Sequence, residues 1–387
     1  MIITRFDKRA YFFLLAASVS SFLLSLFLLQ LFAGLLVIFW LFESNENKKK
    51  SFDLIAASVL LFGLVRILSI IFSEYSSVSV HSFYKEALFY LGFFSFTYYL
   101  KSFEQKKIFN LIYIFTAASA VVALIGLILF NFKFVDRAQS FSSGYSTFSS
   151  YLITGLGIAV CISNLLKEKK LFYLWLAAVV LLLTGIITSL GRLNIAIAGL
   201  IIIAAIISNK IKIRYSLIII ICAGLLSFLS FQNNTAEVSQ RIEQPAQLSD
   251  RDIIYKGAQE LWSEHPLLGF GPRTFHQIFP FKNQFADKGI GSWHNDFLEI
   301  YFEEGFAGLL TFIFMLLIPF LEGIKLLKGS VSYESKLFTF GILSSLAALI
   351  LSALTAGFIN SPVLSLVFVF LIASISALRF QNKESIN

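Results

Sequence analysis

Two stretches of this chain carry side chains able to move a proton and hold an anion. One runs Asp250-Arg251, then Trp262-Ser263-Glu264-His265-Pro266-Leu267-Leu268-Gly269-Phe270-Gly271. The other is Gly291-Ser292-Trp293-His294-Asn295-Asp296, with Gly305-Phe306-Ala307-Gly308 further along. His294 immediately precedes a long apolar run, so it falls where a helix should begin. The positive end of a helix dipole favours the neutral form of a nearby imidazole. A neutral imidazole can accept a proton from a hydroxyl near neutral pH. On spacing alone the alternative is an interfacial histidine that caps the helix. Arg241, Arg251 and Arg273 share this region. A lone arginine beside a membrane ordinarily holds lipid phosphate, whereas several converging on one place suit a diphosphate, because guanidinium binds phosphate bidentately and stays charged.

Other residues are harder to assign. Arg192, in Ser189-Leu190-Gly191-Arg192, falls at the outer tip between two apolar segments and is a candidate for the same site. Arg66 lies about two-thirds of the way across an apolar segment, where a charge is costly unless it snorkels to the surface or serves a function. Asp296, Glu299, Glu303 and Glu304 recur at helical spacing and read as a solvated helix face, with a carboxylate metal site as the alternative. No acid is expected in the middle of a membrane span, which weighs against an ion-coupled transporter. Nucleotide-binding glycine loops and Cys/His zinc patterns are absent from the sequence. Cys161 and Cys222 sit within apolar runs as small hydrophobes.

These residues must be positioned by apolar helices. Of 387 residues, 57% are hydrophobic and 14% charged, against roughly 45–50% and about 25% in soluble domains. Lipid is the implied solvent. Spans of suitable length are expected near 10–25, 27–42, 52–73, 86–100, 108–130, 147–166, 171–189, 193–208, 213–231, 297–321, 337–357 and 361–379. The net charge of +8 is distributed between spans and does not form a nucleic-acid groove. Arg5/Lys8/Arg9, Lys48–Lys50, Lys101/Lys106/Lys107, Lys167/Lys169/Lys170, Lys210/Lys212/Arg214, Lys325/Lys328/Lys336 and Arg379/Lys383 recur at alternate connections. They hold about two-thirds of the basic residues, so these connections are cytoplasmic by the positive-inside rule. The expected fold is an all-α polytopic membrane protein of twelve helices, both termini cytoplasmic. Residues 1–231 carry nine helices, 232–296 form a large periplasmic loop bearing the site, and 297–387 carry three more. Within that loop, Ser249-Asp250-Arg251-Asp252 starts one short helix and Phe275 to Phe279 forms a second, both expected to lie on the membrane surface.

The two stretches resemble the signature segments of the O-antigen ligase and polymerase superfamily. Those are an arginine, a Trp-containing helix and Pro-Leu-Leu-Gly-x-Gly, followed by His-Asn with a paired glycine motif downstream. The turn Ser189-Leu190-Gly191-Arg192 resembles the family's Ser-Arg-Gly turn with its order disturbed. The resemblance implies a glycosyltransferase C-like membrane fold in the bacterial inner membrane, with its site facing the periplasm. It also implies a donor glycan on undecaprenyl diphosphate and an inverting transfer to an acceptor hydroxyl, with neither cofactor nor metal. His294 and Arg251 would be catalytic, and Arg192, Arg273, Arg241 and Asn295 would bind substrate. The first reading is an O-antigen ligase acting on lipid A-core. An O-antigen or exopolysaccharide polymerase is the alternative, followed by a protein O-oligosaccharyltransferase or a membrane transporter.

The topology has a direct test. With Cys161 and Cys222 replaced, Ser292→Cys should react on intact cells with a membrane-impermeant maleimide and Ser44→Cys should not. The reverse pattern would invert the orientation.

Overall fold

A computed structural model of the chain describes residues 8–232, 251–285 and 291–384. Arg241 lies outside the described residues. Among them the secondary structure is helical, without strands. The order is α1 (Lys8–Ser21), α2 (Leu26–Leu41), the single turn α3 (Asn45–Lys48), α4 (Leu54–Phe72), α5 (Ser76–Lys101), α6 (Gln105–Asn131) and α7 (Tyr145–Ala159). Next come α8 (Lys169–Thr188), α9 (Arg192–Ile207) and α10 (Ile213–Gln232). The short α11 (Arg251–Leu261) and α12 (Phe275–Ile278) precede α13 (Asp296–Lys328), α14 (Tyr333–Ser352) and α15 (Leu364–Glu384).

A helix covers each of the twelve apolar segments. Seven of them, α4, α6, α8, α10, α13, α14 and α15, are long and apolar enough to cross a membrane, while α2 and α9 are apolar but shorter. At 1.5 Å per residue the 16 residues of α2 reach about 24 Å, less than a hydrocarbon core of about 30 Å. α5 differs for another reason. It begins at Ser76, nearly three turns before the expected start at 86, and its first half carries Ser77, Ser79, His81, Ser82, Lys85 and Glu86.

Side-chain caps set several helix starts. Asp53 Oδ1 accepts from Ala56 N at 2.9 Å, and Ser332 Oγ from Ser335 N at 3.1 Å. Each satisfies an amide that the helix itself leaves unpaired. Asp53 also binds Lys101 Nζ at 2.8 Å and accepts from Ser376, which joins α4, α5 and α15 at the end of α5 remote from His81. The main core forms around α15, whose apolar window is 83% buried against 28% for α10. α15 is therefore the central post and α10 a rim helix. α15 packs against α5 and α13, α13 against α4, and α7 against α14. Gly157 on α7 lies directly on Ser345 of α14, a close approach of the kind small residues permit between membrane helices.

A second, smaller core lies beside the first. It contains Ile254, Ala258, Leu261, Phe270, Phe275, Phe279, Trp293, Tyr301 and Phe302. Trp293 stacks on Phe302 with centroids 4.1 Å apart, and Trp262 stacks on Tyr301 at 4.2 Å. The described part of the 232–296 segment holds the two expected short helices, Arg251–Leu261 and Phe275–Ile278, packed on this second core. Its aromatic side chains need an apolar partner, and they find it in the first turns of α13.

Candidate functional site

The two signature stretches meet through their backbones. Gly305 interrupts α13 with φ 68° and ψ −163°, a left-handed backbone conformation open almost only to glycine that costs an L-residue about 1–3 kcal/mol. The interruption frees carbonyls and amides on both sides. Phe302 O accepts from Phe270 N at 2.8 Å, and Glu303 O from Gly271 N at 2.9 Å. In the other direction, Phe306 N donates to Pro266 O at 2.7 Å and Ala307 N to Leu267 O at 3.2 Å. A Cβ on Gly269 would press on the Glu303 backbone, and one on Gly305 on the Leu267 backbone. From α4, Ser69 Oγ lies 2.7 Å from Leu268 O and 2.6 Å from Glu303 O, and closes the joint.

Beneath this joint lies a buried ionic cluster. Arg66, 3% exposed, pairs through Nε with Glu86 Oε2 at 2.5 Å and donates from Nη2 to Glu86 Oε1 at 2.7 Å. It also binds Glu303 Oε2 and Asn360 Oδ1, each at 3.3 Å, and contacts Glu304 through Nη1. Of the two alternatives for Arg66, snorkelling to the surface is excluded: three carboxylates hold it inside. The solvated acidic face is corrected as well, since Asp296, Glu299, Glu303 and Glu304 are all buried. Asp296 Oδ2 accepts from Phe358 N at 2.7 Å and from Ile359 N at 3.3 Å, and Glu299 Oε1 accepts from Asn360 Nδ2 at 2.9 Å. Glu86, within α5, and the pair Glu303–Glu304, within α13, are thus acids buried inside long helices. Among the described residues, no His, Cys, Asp or Glu cluster is arranged to hold a metal ion.

Above the cluster opens a polar cavity of about 1000 Å³. His294 and Arg273 line it, as do Glu299, Glu303, His276, His81 and Lys85. His294 is half-buried in a left-handed conformation, φ 51°. Burial, and after it the charge of Arg251, holds its imidazole below the ordinary 6.5. Capping falls to Asn295, whose Oδ1 accepts from Phe297 N at 2.9 Å and Leu298 N at 3.3 Å. Asn295 does not line the cavity, so it acts on the site by starting α13. Arg273, φ 60°, donates its backbone N–H to Glu303 Oε1 at 2.6 Å, and its Nε lies 3.5 Å from Glu86 Oε1. Arg251 donates to Thr355 O at 2.8 Å beside the cavity. Arg192 stands exposed at the start of α9 and does not line it. The adjoining turn is braced from elsewhere, by Arg137 Nε on Ser189 O at 2.9 Å.

Three contributors were missed by sequence reasoning, one of them Ser146 and Thr147 at the start of α7. The polar first half of α5 supplies Ser77, Val78, His81 and Lys85 to the cavity, and the connection between α14 and α15 supplies Ala356, Gly357, Asn360 and Ser361. That connection had a signal, because Thr355-Ala356-Gly357 and Asn360-Ser361-Pro362 interrupt the apolar pattern with turn residues. A strict reading of span lengths compressed it to a tight turn.

Residues 172–313 match the model of a family described as O-antigen ligase. No curated protein matches the chain significantly. The matched segment includes Arg192, Arg251, Arg273, His294 and the acids at the start of α13. Arg66, Glu86 and Asn360 lie outside it.

The Gly305 joint can be tested through stability. Gly305→Ala meets both the left-handed penalty and the Leu267 backbone, and should lower the melting temperature of the detergent-purified protein by several degrees or abolish its accumulation. Gly199→Ala is the control, because nothing lies within 4 Å of a Cβ there. It should melt at or slightly above the parent temperature. Equal melting of the two variants would remove the joint from the argument.

Proposed function

We propose, from the match of residues 172–313 to the O-antigen ligase family, that the chain transfers a glycan from undecaprenyl diphosphate to a hydroxyl of lipid A-core. The reaction takes place at the periplasmic face of the bacterial inner membrane, with both termini in the cytoplasm. The observation that carries this reading is the cavity of about 1000 Å³ in which His294 and Arg273 meet. A cavity of this size is at the upper end of ordinary ligand pockets, as a sugar diphosphate and an acceptor together require.

In the proposed reaction, His294 takes the proton of the acceptor hydroxyl as its oxygen attacks the anomeric carbon. The carbon–oxygen bond to the diphosphate breaks on the opposite face, and the leaving group departs with the electron pair. The configuration inverts. Arg273 in the cavity and Arg251 beside it receive the charge that develops on the diphosphate, which is worth most where water is excluded. Of the arginines that the sequence reading offered as substrate-binding, Arg273 takes this role and Arg192, outside the cavity, does not. The donor is already activated, so leaving-group stabilisation and positioning supply the rate.

Purified protein, donor lipid and lipid A-core acceptor should give transfer that EDTA leaves unchanged. Loss of activity restored by Mg²⁺ or Mn²⁺ would refute the metal-independent mechanism. Transfer only onto a second lipid-linked repeat would replace ligase by polymerase.

His294→Ala should cost about 10²–10⁴ in rate with little change in melting, because a half-buried imidazole leaves no large cavity. The pH profile gives a sharper check. A base works only above its pKa, and that of His294 is lowered, so activity should persist on acidification through 6.5 and fall below it. Arg251→Gln removes one of the two causes, and the acid limb of its residual activity should move upward. An acid limb above 6.5 in the parent protein would deny His294 the role of base.

A further inference from the structure

The cluster around Glu86 contains a competition. Its Oε1 accepts from Arg66 Nη2 at 2.7 Å and lies 3.5 Å from Arg273 Nε, while its Oε2 faces Arg66 Nε at 2.5 Å. Glu303 is shared in the same way, with Oε2 on Arg66 Nη2 at 3.3 Å and Oε1 on the Arg273 backbone N–H at 2.6 Å. The two carboxylates that hold Arg273 are therefore two of the three that Arg66 pairs with, Glu304 being the third. Arg66 is enclosed at 3% exposure, whereas the Arg273 side chain is 27% exposed and lines the polar cavity. Of the two, only Arg273 lines the polar cavity; Arg66 borders a separate, apolar one of about 400 Å³.

We propose that Arg66 is a positioning residue: by occupying Glu86 and Glu303 it leaves the Arg273 guanidinium free to bind a diphosphate in the cavity. The physical cause is local charge balance. In a site shielded from water, a carboxylate without its counter-ion draws the nearest cation strongly. Without Arg66, Glu86 would take Arg273 as its full partner, and the cavity would lose the planar fork that matches phosphate oxygens. With Arg66 present, Glu86 holds Arg273 only loosely, through one Nε contact. The identity of the anion rests on the transfer reaction proposed above. The competition for Glu86 rests on the contacts alone.

Isothermal titration of inorganic pyrophosphate into the detergent-purified protein separates the two ideas. The parent protein should bind, and Arg273→Gln should lose at least about ten-fold in affinity, the usual order for a charge-assisted contact. Arg66→Met, altered outside the polar cavity, should lose a similar factor. Arg66→Met/Glu86→Gln should regain most of it, because the competing carboxylate is gone. Glu86→Gln alone should bind pyrophosphate at least as tightly as the parent. In the transfer assay, Arg66→Met should raise the donor KM more than it lowers kcat.

A purely cohesive role predicts the opposite, with Glu86→Gln weakening binding and the double variant no better than Arg66→Met. Either result would overturn the proposal. Should Arg66→Met fail to accumulate, Glu86→Gln decides alone. If the parent does not bind pyrophosphate, or Arg273→Gln binds like the parent, the cavity is no diphosphate site and both readings fall. If Arg273→Gln weakens binding and Arg66→Met does not, only the positioning role falls.

Discussion

Every part of the site depends on the break in α13 at Gly305. A continuous helix would spend the carbonyls of Phe302 and Glu303 on its own ladder. The segment from Pro266 to Gly271 would then have no edge to pair with. By turning left-handed at one residue, the chain exposes two acceptors and two donors to a loop that mirrors them. The loop needs its own left-handed glycines, Gly269 and Gly271, to come so near. His294 at one end of the joint and Arg273 at the other are thereby fixed relative to each other by backbone hydrogen bonds, a stiffer link than side-chain contact.

The joint would be unsafe in a membrane without the charges beneath it. Glu303 and Glu304 lie on the turn just before the break and are fully buried. Uncompensated carboxylates there would cost several kcal/mol each. Arg66 makes their burial tolerable, and Asn360 and Ser69 satisfy further polar atoms around them. The fold thus uses an expensive group to stabilise others, an arrangement that persists only when all the partners are present.

Much of this was legible in the sequence. Apolar runs located a helix at every expected segment, because lipid leaves few alternatives to the helix. His294 could be singled out from its place ahead of an apolar run, and Arg273 from its charge and neighbourhood. The acids of α13 were misread because helical spacing says that Asp296, Glu299 and Glu303 share a face, but not whether that face meets water or Arg66. The same blindness applied to Arg66, whose partners Glu303 and Glu304 lie more than 230 positions away. Pairings that far apart leave no local pattern. The polar half of α5 was set aside for a related reason: a window tuned to hydrophobicity starts the helix where the apolar residues start.

The hydrogen bond between Arg66 and Asn360 spans 294 positions, and this orders events during synthesis. α4 leaves the ribosome long before α13 and the α14–α15 connection exist. Of the groups that surround Arg66 in the finished protein, only Glu86, 20 positions on, arrives with it. α4 and α5 can therefore enter the bilayer as a hairpin whose two buried charges already cancel, with the remaining acids docking onto it later. Until Ala356, Gly357 and Asn360 emerge, one wall of the cavity is missing. The proposed site is therefore complete only when the helices on both sides of the Gly305 joint have assembled.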